Sequence, residues 1–176
     1  TGTATYTITA PDAVTSSGAP SGSSATYSQN YTTAGQLTSG KTATLTLSGY
    51  DNCVITGITL SMKSNSSKGA GSFDAVAGTT KIASIADSPF NNTNWNGAWS
   101  TSYVDITPAM SNSSYSIQSG EDVTLTITAS ANSLYIESYT ISYKQNISSG
   151  GGDVSEPDSV TLDITEHTMN VGETIT

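Results

Sequence analysis

VTLTITAS, residues 123–130, alternates more regularly than any other stretch of this chain. Successive side chains of a strand point to opposite faces. Val123, Leu125 and Ile127 therefore fall on one side, and Thr124, Thr126 and Thr128 on the other. The aliphatic side suits a core. Threonine, β-branched yet polar, suits a solvated sheet face. The spacing predicts a half-buried strand, preceded by a turn at SGED, residues 119–122.

Working outward, the same two-residue period recurs in short packets. SLYIESYTISYK, residues 133–144, places Tyr135, Glu137, Tyr139, Ile141 and Tyr143 on one face. Leu134, Ile136, Ser138, Thr140 and Ser142 take the other. TSYVDITPAM gives a strand at 102–107, stopped by Pro108. GSFDAVAGTTKIASIA, residues 71–86, reads as a hairpin around Ala77-Gly78, anchored by Phe73, Ile82 and Ile85. SNSSKGAGS before it reads as a flexible turn. In KTATLTLSGYDNCVITGITLSMK, residues 41–63, Leu45 and Leu47 alternate with threonine, and Gly49 to Asn52 mark a turn. Val54, Ile58, Leu60 and Met62 then share one parity, with Gly57 as a bulge. Two adjacent antiparallel strands are expected there. TATYTITA, residues 3–10, is a strand that ends at Pro11. Residues 11–43 read as a long loop with a weak edge strand around Ala25–Tyr31. No stretch predicts a helix of ordinary length. Eight or so short strands separated by Gly/Ser/Asn turns indicate an all-β fold, an antiparallel, jelly-roll-like β-sandwich over residues 1–145.

Composition narrows the function classes. Of 176 residues only 11% are charged, against about 25% in an ordinary domain. The balance is 14 acidic to 5 basic residues, a net charge of −9, and every basic residue is a lysine. Nucleic-acid binding needs cations to displace counterions, and arginine reads base edges. This chain therefore reads as no nucleic-acid partner, and an anionic membrane surface is disfavoured on the same ground. No apolar run is long enough to insert in a membrane as a helix. The single cysteine, Cys53, precludes an internal disulfide and reads as a small buried hydrophobe at a strand start; the competing reading is a reactive thiol. A Ser/Thr/Asn/Gly-rich acidic chain suits an extracellular or bacterial cell-surface location. Its start at Thr1, with no signal peptide, reads as a mature or trimmed segment.

After Lys144 the composition changes. Residues 146–158, with three consecutive glycines and then acidic residues, read as a linker. Residues 159–176 follow. There Val160, Leu162, Asp163, Met169, Val171, Gly172, Glu173 and Thr174 resemble, in order, the opening of a group-two bacterial Ig-like domain. The resemblance implies the first strand or strands of a truncated Ig-like domain, extended rather than helical. It also implies a parent surface protein with tandem Ig-like domains and no catalytic residues from this part. Residues 1–145 resemble an N-terminal module of large secreted surface proteins of gut Bacteroidetes. The resemblance rests on ITGITLSMKSNSSKGAGSF (55–73), TTKIASIADSPF (79–90) and ANSLYIESYTISY (131–143). It implies location and architecture and leaves function open.

Chemistry-bearing residues are few. The only histidine, His167, lies beyond the linker, so no Ser-His-Asp or Cys-His set can form within residues 1–145. No catalytic residue is assigned. Glu137 and Asp105 are the pair that a glycoside-acting enzyme would use, the third-ranked reading. No metal site or other cofactor is assigned. Asp51-Asn52, Asp87 and the group Asp153, Glu156 and Asp158 are the pieces a Ca²⁺ site would draw on, and solvated turns are the simpler account.

The remaining signal is SPFNNTNWNGAWSTSY, residues 88–103, which holds both tryptophans of the chain. Trp95, Trp99 and Tyr103 supply aromatic planes for the C–H faces of a sugar. Asn92, Asn94 and Asn96 supply hydrogen bonds for its hydroxyls. Equally, a long loop needs an anchor, and at least one tryptophan is expected to plug the open end of the sandwich. Tyr135, Tyr139 and Tyr143 form a second platform if their face is outward, or core if inward. Two functions remain open: a non-catalytic module for adhesion or carbohydrate binding, with a glycan or host-surface ligand as partner, and a structural spacer with no ligand.

Overall fold

The computed structural model describes residues 1–96 and 100–146. Trp99, the linker from Ile147 and the Ig-like segment 159–176, with His167, lie outside the described residues. Among the described residues eleven strands run in the order β1 (Gly2–Ala10), β2 (Ala13–Ser17), β3 (Ser24–Gln29), β4 (Gln36–Leu37), β5 (Thr42–Ser48), β6 (Cys53–Ser64), β7 (Ala70–Ala77), β8 (Thr80–Pro89), β9 (Ser100–Ile106), β10 (Val123–Ala131) and β11 (Leu134–Gln145). They form two sheets with every pairing antiparallel. One has the order β2-β1-β11-β6-β9, with β4 also on β11; the other has the order β3-β5-β10-β7-β8. The fold is an all-β sandwich, as the alternation predicts. The only helical turn among the described residues is a 3₁₀ turn, η1, at Thr93–Trp95.

β10 shows why. Val123, Leu125, Ile127 and Ala129 are buried. Thr124, Thr126 and Thr128 pair on the outer face with Thr46, Thr44 and Thr42 of β5. The Thr42 and Thr128 hydroxyls are 2.9 Å apart. The inner faces of both sheets meet in a continuous core that includes Leu45, Leu47, Ile58, Leu60, Phe73, Ile82, Ile85, Leu134, Ile136 and Ile141. The hairpin of β7 and β8 turns at Gly78, whose positive φ of 60° suits glycine.

Three expectations are corrected. In residues 11–43 the edge strand expected around Ala25–Tyr31 is β3, but the rest is not one loop: β2 is an edge strand of the other sheet, and β4 adds a short strand. Edge strands bury little, so Ser/Thr-rich sequence forms them without a strong apolar period; β2 holds no fully buried residue. β5 and β6 do not pair with each other. β5 lies between β3 and β10, and β6 between β11 and β9. The connection crosses from one sheet to the other and drives Tyr50, fully buried, into the core. There the Tyr50 and Tyr6 hydroxyls are 2.6 Å apart, and burial pushes both phenols above their ordinary pKa. Third, SNSSKGAGS does turn, with the Gly69 N–H donating to the Ser66 carbonyl, but the turn is a packing element. A Cβ on Gly69 would stand 2.8 Å from the Phe90 ring, and one on Gly71 would stand 2.3 Å from the Thr128 carbonyl. Glycine lets Phe90 lie against this backbone.

Two bulges decide which face side chains take. In β6 the register against β11 shifts beside Gly57, so Ile55 and Ile58 are both buried. In β11 it shifts at Glu137. Leu134 and Ile136 are buried before the bulge; Tyr139, Ile141 and Tyr143 are buried after it. The tyrosine face read from the sequence is thereby split. Tyr139 and Tyr143 are core, while Tyr135 stays on the outer surface with Glu137.

Candidate functional site

The segment between β8 and β9 is built around Trp95. Its indole is fully buried, packs edge-on against Phe90 with centroids 5.1 Å apart, and donates from Nε1 to the Gly71 carbonyl at 3.2 Å. Trp95 is a plug, part of the core and packed on Phe90 and the β7 backbone, and offers no plane to a ligand. Asn92 caps η1: its Oδ1 accepts from the Asn94 backbone N–H at 2.9 Å and from the Thr93 hydroxyl. Asn96 ends the turn in the left-handed region, φ 54°, where asparagine is tolerated, and its N–H donates to the Thr93 carbonyl at 2.9 Å. Asn92 is thus occupied in holding the turn.

Asn94 and Asn96 face a cleft of about 560 Å³. Its polar lining is Ser84, Thr93, Asn94, Asn96 and Thr107, and its apolar lining is Ile85, Ala86, Ile106 and Ala109. No lining residue is charged. One wall is β8, the edge of its sheet; the opposite wall is the end of β9 and the strand-free segment after it. That segment is fixed to β8, since the N–H groups of Ser111 and Asn112 both donate to the Ile82 carbonyl. The cleft therefore lies at the open edge of the sandwich, with η1 pinned over it by Trp95.

Tyr103 is elsewhere. It leaves β9 on the outer face of its sheet, 40% exposed, the only exposed large hydrophobic side chain among the described residues. Lys63 Nζ lies 4.6 Å from its ring centroid and 5.4 Å from that of Tyr135. Burial first, then the Glu137 and Tyr135 charges, raise the Tyr103 phenol above its ordinary pKa. Glu137 accepts a hydrogen bond from Ser61 at 2.9 Å. Asp105 is the register partner of Ser61 on the other side. The two carboxyl-bearing residues thus share a face two strands apart, on the solvated side of the sheet rather than across a cleft. The sequence reading grouped Tyr103 with the asparagines; the structure separates them. It also missed Lys63, Ser61, Ser84 and Thr107, which only strand pairing brings into place.

Cys53 is buried at the start of β6, and burial together with the Asp51 charge pushes its thiol up, against a nucleophilic role. Among the described residues no three His, Cys, Asp or Glu side chains gather as a metal site. Asp51 accepts from Ser119, and Asp87 from Ser130.

The architecture is that of a β-sandwich with a recessed edge cleft and an aromatic patch on one outer face. No protein-family model matches the chain, and no curated protein matches it. Among solved structures it is similar to the CBM36-1 domain of a multidomain xylanase from the hindgut metagenome of Trinervitermes trinervoides. The TM-score is 0.43 with 13% identity, over 79% of this chain and 96% of that one. It is also similar to the insecticidal crystal protein CRY2AA, with a TM-score of 0.37 and 18% identity over 58% of this chain. That match spans 15% of the larger protein.

Proposed function

We propose that residues 1–146 are a non-catalytic carbohydrate-binding module of a secreted or surface-attached bacterial protein, carried alongside Ig-like domains. The observation that carries this reading is the edge cleft. Sugars are amphipathic, with hydroxyls at the rim of each ring and C–H groups on its faces. The cleft matches that pattern with the amides of Asn94 and Asn96 and the hydroxyls of Ser84, Thr93 and Thr107 around Ile85, Ala86, Ile106 and Ala109. A small set of fixed polar groups over an apolar lining is how pockets orient neutral ligands. Preorganisation comes from below: Trp95 anchors the turn and Asn92 caps it, so the backbone that carries both asparagines is already in place before binding. The likeness to the CBM36-1 domain is one of architecture, and the reading rests on the cleft.

The spacer reading makes the opposite prediction for one experiment. A glycan array probed with the wild-type module and with Asn94→Ala/Asn96→Ala should show binding by the first and a loss of about tenfold or more by the second, with both proteins equally folded. A folded wild type that binds no glycan supports the spacer.

A further inference from the structure

The two outer faces of the sandwich differ in kind. On the β3-β5-β10-β7-β8 sheet, the central outer face is a threonine ladder: Thr42 opposite Thr128, Thr44 opposite Thr126, Thr46 opposite Thr124. Of its charged residues, Asp74 and Lys81 neutralise each other in an exposed ion pair at 2.8 Å, and Asp87 accepts from the Ser130 hydroxyl. This is a face built to be solvated.

The outer face of β11, β6 and β9 is arranged in rows across three strands. Tyr135 is the register partner of Lys63, and Tyr103 lies on the far side of Lys63, its ring 4.6 Å from the ammonium. The next row along the strands is Glu137, Ser61, Asp105. The third is Thr140, Thr59, Thr107, with the Thr59 and Thr107 hydroxyls 3.2 Å apart. Asn65 extends the first row, its amide 3.4 Å from the Tyr135 hydroxyl. Among the described residues no carboxylate pairs with Lys63; its ammonium is held by the two rings. The β11 bulge at Glu137 is what keeps Tyr135 and Glu137 outward while turning Tyr139 inward.

We infer that this face, which meets the edge cleft only at Thr107, is a platform for the interior of an uncharged polysaccharide chain. The inference rests on the glycan-binding reading; of the cleft residues it shares only Thr107, at the end of the third row, and assigns it no contact. Aromatic rings in the first row offer planes for sugar C–H faces, and Lys63 and Asn65 beside them donate. In the second row Glu137 and Asp105 accept hydrogen bonds from sugar hydroxyls, and charged acceptors make the stronger bonds. The same carboxylates disfavour uronate or sulfated chains, as does the overall charge of −9. A sheet face carries no end wall, so a chain can continue past both edges. The cleft, closed by η1 on one side, suits a shorter or terminal unit.

The test is affinity electrophoresis of the full chain through gels containing soluble uncharged xylan, β-glucan or mannan, with polygalacturonate as the charged comparison. Wild type should be retarded by at least one uncharged polymer and much less by polygalacturonate. Tyr103→Ala and Tyr135→Ala should each weaken that retardation by about tenfold, roughly one aromatic contact with its buried area. Tyr103→Phe should keep it, and Thr126→Ala, on the threonine ladder, should leave it unchanged. Wild-type retardation in both tyrosine-to-alanine variants overturns the platform. If Asn94→Ala/Asn96→Ala then abolishes binding, the cleft reading stands without it. Retardation by polygalacturonate equal to that by the uncharged polymers overturns the ligand class. No retardation by any polymer, with no binding on a glycan array, overturns both readings.

Discussion

Trp95 and Tyr103 stand close together in one polar stretch of sequence, yet one is fully buried and the other 40% exposed. Both are large aromatics flanked by Asn, Ser, Gly and Thr. Their fates differ because Trp95 folds back into the core against Phe90 and Gly71, whereas Tyr103 sits on a strand at an outward parity. Local composition does not separate a plug from a platform; the surrounding pairing does. Gly69 and Gly71 leave room for Phe90, Phe90 meets the indole edge-on, and Gly71 accepts its N–H. Tyr103 instead carries the Lys63 ammonium over its ring and stays 40% exposed.

The most severe way to probe that contrast is Trp95→Ala. Removing a buried tryptophan typically costs about 3–5 kcal/mol through lost burial and an incompletely collapsed cavity. It also leaves the Gly71 carbonyl without this donor. Thermal denaturation should show Tm lower by roughly 10 °C or more for a domain of this size. A change of only a degree or two would mean that the indole is not a structural anchor, and the distinction from Tyr103 would collapse.

A finer comparison lies among the buried tyrosines. Tyr50 shares a 2.6 Å hydrogen bond with Tyr6, whereas the Tyr139 hydroxyl is the one buried side-chain polar atom among the described residues with no partner. Leaving a buried donor or acceptor unpaired costs about 1–3 kcal/mol, and removing an unpaired one recovers part of that. Tyr50→Phe, which strands the Tyr6 hydroxyl, should therefore destabilise by about 1–2 kcal/mol. Tyr139→Phe should be neutral or stabilising. Urea denaturation of the two variants side by side decides it; equal losses would show that Tyr139 has a partner after all.

The alternation of β10, the β7–β8 hairpin, the Gly57 bulge and a buried Cys53 were all legible in the chain, because each is a local pattern on a half-buried strand. The edge strand β3 was legible only as a weak signal around Tyr27, and β2 was not, since a strand that buries almost nothing needs no apolar period. Nor was the separation of β5 from β6. Both strands and the turn between them look like a hairpin, and only the partners available in each sheet show that Tyr50 crosses the core instead. The candidate site was legible in its residue types and not in its grouping. Asn94 and Asn96 reached a cleft, while Tyr103 joined Lys63 and Tyr135 from strands far away in sequence. A two-residue period carried through Glu137 puts Tyr135 and Tyr139 on one face. The bulge there separates them, and a bulge of that kind leaves no residue signature beyond an exposed acid in a strand.

The smallest expected effect closes the contrast from the other side. Tyr103→Ala removes an exposed ring and its cation–π contact with Lys63, worth about 0.5–1 kcal/mol at such a site. Lys63 keeps its contact with Tyr135, 5.4 Å from that centroid, so part of the interaction persists. The net loss of stability should be about 0.5 kcal/mol or less, near the range of ordinary surface substitutions. It should appear as a small shift in the urea midpoint with an unchanged slope, because the area exposed on unfolding barely changes. A loss approaching that of Trp95→Ala would show that the ring is packed rather than presented. A near-silent effect on stability combined with weakened retardation in polysaccharide gels is the signature of a side chain whose main contribution is to a ligand rather than to the fold.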